Sequence, residues 1–98
     1  MSSDEQLELV RLALEERGWL VSRKDAIRFG CDFLLYDDKS THSLVAVYVK
    51  GDAPFSLLEA KRFSRLCESV QKRAIVAEVL PAGSVKFVEI KRWSFFTR

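Results

Sequence analysis

The sequence predicts an α/β fold: a single small domain of order α-β-β-β-α-β-β, with a mixed sheet flanked by two helices. Three observations lead to this prediction. The chain has 98 residues, enough for one hydrophobic core but not for two. Two segments space their apolar residues with the period of a helix, and the other apolar runs are short and rich in β-branched and aromatic residues, as strands are.

Both helices carry recognisable boundary signals. The first begins at Ser2 or Ser3, which acidic residues follow, and ends at Gly18. The second begins at Ser56, which forms a capping box with Glu59 in front of the amphipathic run "LLEAKRFSRLCESVQ". These signals fix the two helices at the start and in the middle of the chain.

The five strands are short apolar runs separated by turns. The first three are "WLVSR", "GCDFLLYD" and "HSLVAVYV", the second and third apolar on both alternating faces, as in strands covered from both sides. The last two are "KRAIVAEVL" and "SVKFVEIKRW", joined at "PAG", whose turn-forming residues predict a hairpin. No internal repeat or linker divides the chain.

Charge is distributed unevenly along the chain. Residues 1–38 hold five Arg/Lys and nine Asp/Glu, a balance of 5 − 9 = −4, whereas residues 39–98 hold eleven and five, 11 − 5 = +6. A solvated helix face can produce the same excess, so charge alone leaves two interpretations open. One of them is an anionic partner for the C-terminal part.

Targeting and cysteine patterns exclude several classes of protein. No apolar run reaches the length of a membrane span, and the acidic N-terminus is not a signal peptide, so we expect an intracellular protein with no membrane partner. It would be cytoplasmic in a prokaryote or archaeon and nuclear in a eukaryote. Cys31 and Cys67 have no metal-like spacing, which predicts reduced core thiols and no cysteine-bound metal.

Three polar residues lie where strands begin or end. Tyr36 ends the second predicted strand, His42 starts the third after a short connection, and Lys72 comes between the second helix and the fourth strand. A phenol, an imidazole and an ammonium can move protons and neutralise a phosphate, but they do not form the oxygen-rich set that a divalent cation prefers. Separately, each residue is as well explained by packing, surface exposure or the helix dipole.

These residues occur in a pattern that resembles the catalytic domain of tRNA-splicing endonucleases. The pattern comprises "RFGCDFLLY", His42 followed by Ser43 and a β-branched strand, "SLLEAKRFSRLCESVQKRAIVAEV" and "VKFVEIKRW", in that order. The resemblance covers nearly the whole chain. It implies a restriction-endonuclease-like fold over residues 1–98, without the N-terminal domain that typical members carry.

The resemblance also implies roles for the three residues. Tyr36 matches the general base that takes the proton of a ribose 2′-hydroxyl, His42 the general acid for the 5′-oxygen, and Lys72 the cation that stabilises the pentacoordinate phosphate. The implied reaction cleaves introns from pre-tRNA at bulge-helix-bulge sites. It uses no metal or other cofactor and leaves a 2′,3′-cyclic phosphate and a 5′-hydroxyl.

RNA-binding residues follow from the same resemblance. Arg65, seven residues before Lys72 and so about 10 Å along the helix, matches an arginine that clamps a flipped-out bulge base. Trp93, with Arg92 beside it, is the expected partner near the C-terminus. An ion pair of Arg65 with Glu68, and core or interface packing of Trp93, are the alternatives.

The resemblance further implies an assembly of several chains. The hairpin "LPAGS" has none of the acidic residues by which a family member inserts a loop into its neighbour. We therefore expect a second endonuclease subunit, a heterotetramer, and self-association through the C-terminal strand "VKFVEIKRW".

Two other functions remain open. One is a non-catalytic structural or RNA-binding subunit of the same endonuclease. The other is a metal-dependent nuclease of the restriction-enzyme type, with Asp32 on one strand and Lys50 on the next. Tyr48 occupies the position of the second carboxylate that such a site needs, which disfavours this alternative.

Overall fold

The fold is a five-stranded sheet with helices on both faces. The computed structural model describes residues 3–38, 42–51 and 55–90. Its elements are α1 (Ser3–Glu16), β1 (Leu20–Ser22), α2 (Lys24–Phe29), β2 (Phe33–Tyr36), β3 (Val45–Lys50), α3 (Leu57–Ser69), β4 (Arg73–Val79) and β5 (Val85–Ile90). The strands lie in the order β1-β2-β3-β4-β5. The predicted small α/β domain with a mixed sheet is confirmed.

Among the strands of the described residues, a single pair of neighbours is parallel. β3 and β4 run in the same direction, joined by the crossover that contains α3, and the other three pairs are antiparallel. The predicted hairpin between β4 and β5 is present, with Gly83 at a φ of 92° in its turn.

The two faces of the sheet bury two separate apolar clusters. On one face Val10 and Leu14 of α1 pack against Val45 and Val47 of β3. On the other, α2 and α3 cover a cluster that includes Ala46 of the same strand. Val10 and Val47 are completely buried, and full burial of a valine side chain stabilises a fold by about 1.5–3 kcal/mol. β3 is therefore apolar on both faces because both are covered.

The capping signal of the long crossover helix is confirmed in detail. The Ser56 hydroxyl accepts a hydrogen bond from the Glu59 backbone N–H at 3.1 Å, and the Glu59 carboxylate accepts one from the Ser56 N–H at 3.3 Å. The reciprocal bonds satisfy two backbone donors that have no partner within the helix. They fix where α3 begins.

The short helix α2 was not predicted. Six residues are too few to show helical periodicity, so its apolar residues were indistinguishable from those of a loop. Its start is marked by the Ser22 hydroxyl, which accepts a hydrogen bond from the Asp25 N–H at 3.3 Å. Gly30 ends it in the left-handed conformation, with its N–H bonded to the Ala26 carbonyl.

Both cysteines are free and buried, as the sequence predicts. Burial raises the pKa of Cys31 to about 11 and that of Cys67 to about 12. Both thiols are therefore protonated at neutral pH and act as small apolar core residues. Among the described residues, no helix is both long and apolar enough to cross a membrane.

Replacing Gly30 by alanine should destabilise the fold by about 1–2 kcal/mol, because its φ of 107° is unfavourable for any residue with a Cβ atom. The new Cβ would also lie 3.6 Å from a methyl carbon of Leu66, which is ordinary contact, so backbone strain is the main cost. Urea denaturation measures the loss. Gly51→Ala is the matched control, since nothing lies within 4 Å of its Cβ position and its φ is ordinary. Equal stability of the two variants would contradict the prediction.

Candidate active site

Three strand ends meet at one edge of the sheet. β2 ends at Tyr36, and its Leu35 lies opposite Val45, where β3 begins. Val45 in turn lies opposite Arg73, where β4 begins. Antiparallel pairing on one side of β3 and parallel pairing on the other therefore place the end of β2 beside the starts of β3 and β4.

Backbone hydrogen bonds extend this edge beyond the regular strands. The Leu44 N–H donates to the Leu35 carbonyl at 3.1 Å, and the Arg73 N–H donates to the Leu44 carbonyl at 3.0 Å. The segment that carries His42 is thus held between the end of β2 and the start of β4. The structure brings together the chain segments of all three predicted catalytic residues, Tyr36, His42 and Lys72.

Lys72 is held in place by the segment that it faces. Its ammonium donates a hydrogen bond to the Ser43 carbonyl at 2.7 Å and lies 5.7 Å from the centre of the Phe29 ring. The backbone reaches this position through Gln71, whose φ of 58° turns the chain sharply out of α3. The Lys72 ammonium therefore contacts the backbone of Ser43, the residue that follows His42 in the chain.

Ser43 ties the two neighbouring strand ends together. It is buried, and its hydroxyl oxygen lies 3.0 Å from both the Leu35 and the Val45 carbonyl oxygens, to which the single hydroxyl proton can donate alternately. His42, the preceding residue, is exposed. A buried serine thus anchors an imidazole-bearing residue that remains accessible to a substrate.

Tyr36 is partly buried and bonded to a carboxylate. Its phenol donates a hydrogen bond to Oδ2 of Asp25 on α2, with 3.2 Å between the oxygens. Burial raises the pKa of Tyr36, and the hydrogen bond to Asp25 and the charge of that carboxylate raise it further. The phenol is therefore protonated at neutral pH.

A cavity of about 220 Å³ opens beside Lys72 at this edge. Its walls come from the end of α3, the start of β4 and the end of β5, and include Ser64, Arg73 and Glu89. Arg73 is paired with Glu89, with a shortest N–O distance of 3.0 Å. Lys72 also lies in the wall and donates its hydrogen bond to the Ser43 carbonyl.

The predicted RNA-binding residues are only partly described. Arg65 lies on α3 with an exposed side chain, one residue from Ser64 of the cavity wall. Arg92 and Trp93 lie outside the described residues, which end at Ile90. Ile90 pairs with Ala74, so β5 ends at the same edge as the catalytic candidates.

The residues of the alternative metal site lie towards the opposite edge of the sheet. The two edges are separated by the length of β3, about 17 Å from Val45 to Lys50. Both Asp32 oxygens have structural partners: Oδ2 accepts the Val49 N–H at 2.6 Å and Oδ1 lies 3.2 Å from Arg23. Lys50 is paired with Glu78 at 3.3 Å. Within the described ranges, no three His, Cys, Asp or Glu residues are grouped as metal ligands would be.

Asp25 was not among the sequence candidates, although it contacts one of them. The signal available was "SRKD", a serine followed three residues later by an acidic residue, which is a helix-start pattern. Recognising α2 would have placed Asp25 on a helix next to the second strand. It would not have shown that its carboxylate reaches Tyr36.

Ser43→Ala should lower the free energy of unfolding by about 0.5–1.5 kcal/mol, because it removes the hydroxyl donor that the Leu35 and Val45 carbonyls share, although the Leu35 carbonyl keeps the Leu44 N–H. Thermal or urea denaturation measures this. The matched control is Ser69→Ala, which removes an exposed hydroxyl bonded to the Leu66 carbonyl and should cost much less. If Ser43→Ala is as stable as the control, Ser43 does not hold the two strand ends together.

Comparison with known proteins identifies the family. The family model described as tRNA intron endonuclease, catalytic C-terminal domain, matches residues 5–87, which is well over half of the chain. No curated protein gave a match to the chain. The matched range contains Tyr36, His42, Arg65 and Lys72 and confirms the resemblance noted from the sequence. The chain belongs to the tRNA intron endonuclease family, and its domain is that family's catalytic C-terminal domain, a nuclease domain that acts on pre-tRNA.

Proposed function

We propose that this chain cleaves pre-tRNA at bulge-helix-bulge sites by intramolecular transesterification, with Tyr36, His42 and Lys72 as the catalytic residues. One observation carries the proposal: the segments bearing these three residues are hydrogen-bonded to one another at a single sheet edge. Each residue also lies in a range that matches the family's catalytic domain.

The reaction needs two proton transfers and one neutralised charge. Tyr36 takes the proton of the ribose 2′-hydroxyl, whose oxygen attacks the adjacent phosphorus. Lys72 stabilises the extra negative charge of the pentacoordinate phosphate. His42 donates a proton to the departing 5′-oxygen, so the products are a 2′,3′-cyclic phosphate and a 5′-hydroxyl. Metal has no part in this scheme, because side chains supply every proton and the positive charge.

The position of Lys72 supports its role. A lysine is a compact charge on a flexible stem, and holding it costs conformational entropy. Here the hydrogen bond to the Ser43 carbonyl and the Phe29 ring already restrain the ammonium beside the residue that follows His42. A carbonyl carries no net charge, so this hydrogen bond does not neutralise the ammonium.

RNA binding would extend from this edge towards the C-terminus. Residues 39–98 carry the excess of positive charge that a phosphate backbone requires. Arg65 is exposed on α3, and Arg92 and Trp93 follow Ile90, which ends β5 at the catalytic edge. We assign these three residues to a clamp on an unpaired base, in which an arginine and an aromatic ring from different active sites stack on it.

The clamp requires more than one chain. Among the described residues, β5 is the last strand in the sheet order, and its apolar Val88 is 48% exposed. We propose that β5 mediates self-association, and that a second endonuclease subunit completes a heterotetramer.

Substitution of the catalytic residues tests the function. His42→Ala and Tyr36→Phe should each lower the single-turnover rate of pre-tRNA cleavage by about 10²- to 10⁴-fold, since each removes a proton-transfer group. RNA affinity, measured by filter binding, should stay within a few fold because phosphate contacts remain. The wild-type rate should be unchanged by EDTA.

Tyr48→Phe is the matched control for Tyr36→Phe. In the wild type, the Tyr48 phenol also donates to a carboxylate, Oε2 of Glu59 at 3.0 Å, but Tyr48 lies away from the catalytic edge. The Tyr48→Phe variant should cleave at the wild-type rate. Unimpaired cleavage by Tyr36→Phe or His42→Ala would refute the residue assignment. Absence of cleavage by the wild-type chain with every candidate partner would favour the non-catalytic subunit instead.

A further inference from the structure

The structure places a carboxylate behind the phenol that the proposed function uses as its base. Asp25 Oδ2 lies 3.2 Å from the Tyr36 hydroxyl oxygen and accepts its hydrogen bond. Asp25 is anchored by its own backbone, whose N–H donates to the Ser22 hydroxyl at 3.3 Å. The pair therefore joins the first turn of α2 to the end of β2.

The direction of this hydrogen bond decides what the phenol can do. A phenol has one proton to donate and lone pairs that accept. If Tyr36 donates its proton to Asp25, its lone pairs remain for the ribose 2′-hydroxyl, which must then act as the donor. The same logic applies when a carboxylate orients a histidine that serves as a base.

We infer that Asp25 is a positioning residue that orients Tyr36 and receives its proton as the 2′-oxygen attacks. This inference rests on the proposed function and explains how a neutral phenol can serve as its base. A free tyrosine titrates near pH 10, so very little phenolate exists at neutral pH. If the proton passes from the ribose to Tyr36 while the phenolic proton passes to Asp25, the reaction needs no phenolate. This transfer is called the proton relay below.

The step balances in atoms and charge. The 2′-O–H bond breaks and its proton goes to the Tyr36 oxygen, while the phenolic proton of Tyr36 goes to Asp25. The 2′-oxygen bonds to phosphorus, the bond from phosphorus to the 5′-oxygen breaks, and His42 protonates that oxygen. Asp25 ends protonated and His42 neutral; both are exposed, so solvent resets them.

Other titratable groups lie on the segments next to the pair. The neighbouring segments contribute Lys24, Arg28, Asp37, Asp38, His42 and Lys72, and α3 contributes Glu68 and the buried thiol of Cys67. The raised pKa of Tyr36 is nevertheless explained by burial and by Asp25. Asp25 is thus the charged group to which this phenol is coupled.

The pH dependence of cleavage distinguishes a relay from a phenolate base. With a relay, the base is a carboxylate that is already ionised, so the rate falls tenfold per pH unit once the general acid loses its proton. With a phenolate base, the gain in phenolate offsets the loss of the acid. The rate then stays level up to about pH 10.

The test uses the full chain in its active assembly and a bulge-helix-bulge pre-tRNA, under single-turnover conditions from pH 5 to 9. Asp25→Asn keeps an acceptor for Tyr36 but loses the charge. We expect Asp25→Asn to cleave about 10²-fold more slowly than the wild type at pH 7. Its cleavage rate should stay level with rising pH over the range in which the wild-type rate falls. Tyr36→Phe/Asp25→Asn should be no slower than Tyr36→Phe.

Glu59→Gln is the matched control, because it changes the carboxylate of the other tyrosine pair and retains the helix cap. Its profile should equal that of the wild type. An Asp25→Asn profile of wild-type shape, even at a lower rate, would overturn the relay and leave Asp25 a structural role. If Tyr36→Phe itself cleaves normally, the proposed function fails; if Tyr36→Phe is inactive and the Asp25→Asn slopes are unchanged, only the relay fails.

Discussion

The parallel pairing of β3 with β4 is the constraint on which the candidate site depends. Two parallel strands begin at the same edge of a sheet, and an antiparallel neighbour ends there. β2 is that neighbour, so a residue that ends β2 meets residues that precede β3 and β4. The crossover through α3 makes the parallel pair possible, and its capping box fixes where the crossover helix begins. A change of pairing at β3 would separate Tyr36 from Lys72.

Polar side-chain contacts hold the strand ends that the pairing brings together. Ser43 ties β2 to β3, Lys72 reaches back to Ser43, and Asp25 holds the phenol of Tyr36. Each contact joins a different pair of elements, and each involves a group that would be costly to bury without a partner. The same side chains that stabilise the edge thus orient the groups proposed for catalysis. His42 is the exposed member of the set, as a residue that must meet a leaving group should be.

The sequence was informative where a pattern repeats or a cap has a fixed spacing. The five strands, the Ser56 cap and the buried thiols were all predictable, because periodicity, capping and burial follow from residue type. The helix α2 was not, since six residues carry no periodic signal, and Asp25 was missed with it. Contacts between distant segments, such as Lys72 with Ser43, depend on register and side-chain direction, which no single segment encodes. The meeting of the segments that carry Tyr36, His42 and Lys72 could be expected, but the side-chain contacts that hold Tyr36 and Lys72 could not.

We propose that one sheet edge holds all of the groups that act on the scissile phosphate. The most direct measurement is a crystal structure of the assembled enzyme with a pre-tRNA that carries a 2′-deoxyribose at the cleavage site, which cannot form the cyclic phosphate. We expect the scissile phosphate in contact with the Lys72 ammonium, with His42 on the side of the 5′-oxygen and Tyr36 on the side of the missing 2′-hydroxyl. A scissile phosphate bound at the opposite edge, beside Asp32 and Lys50, would contradict it.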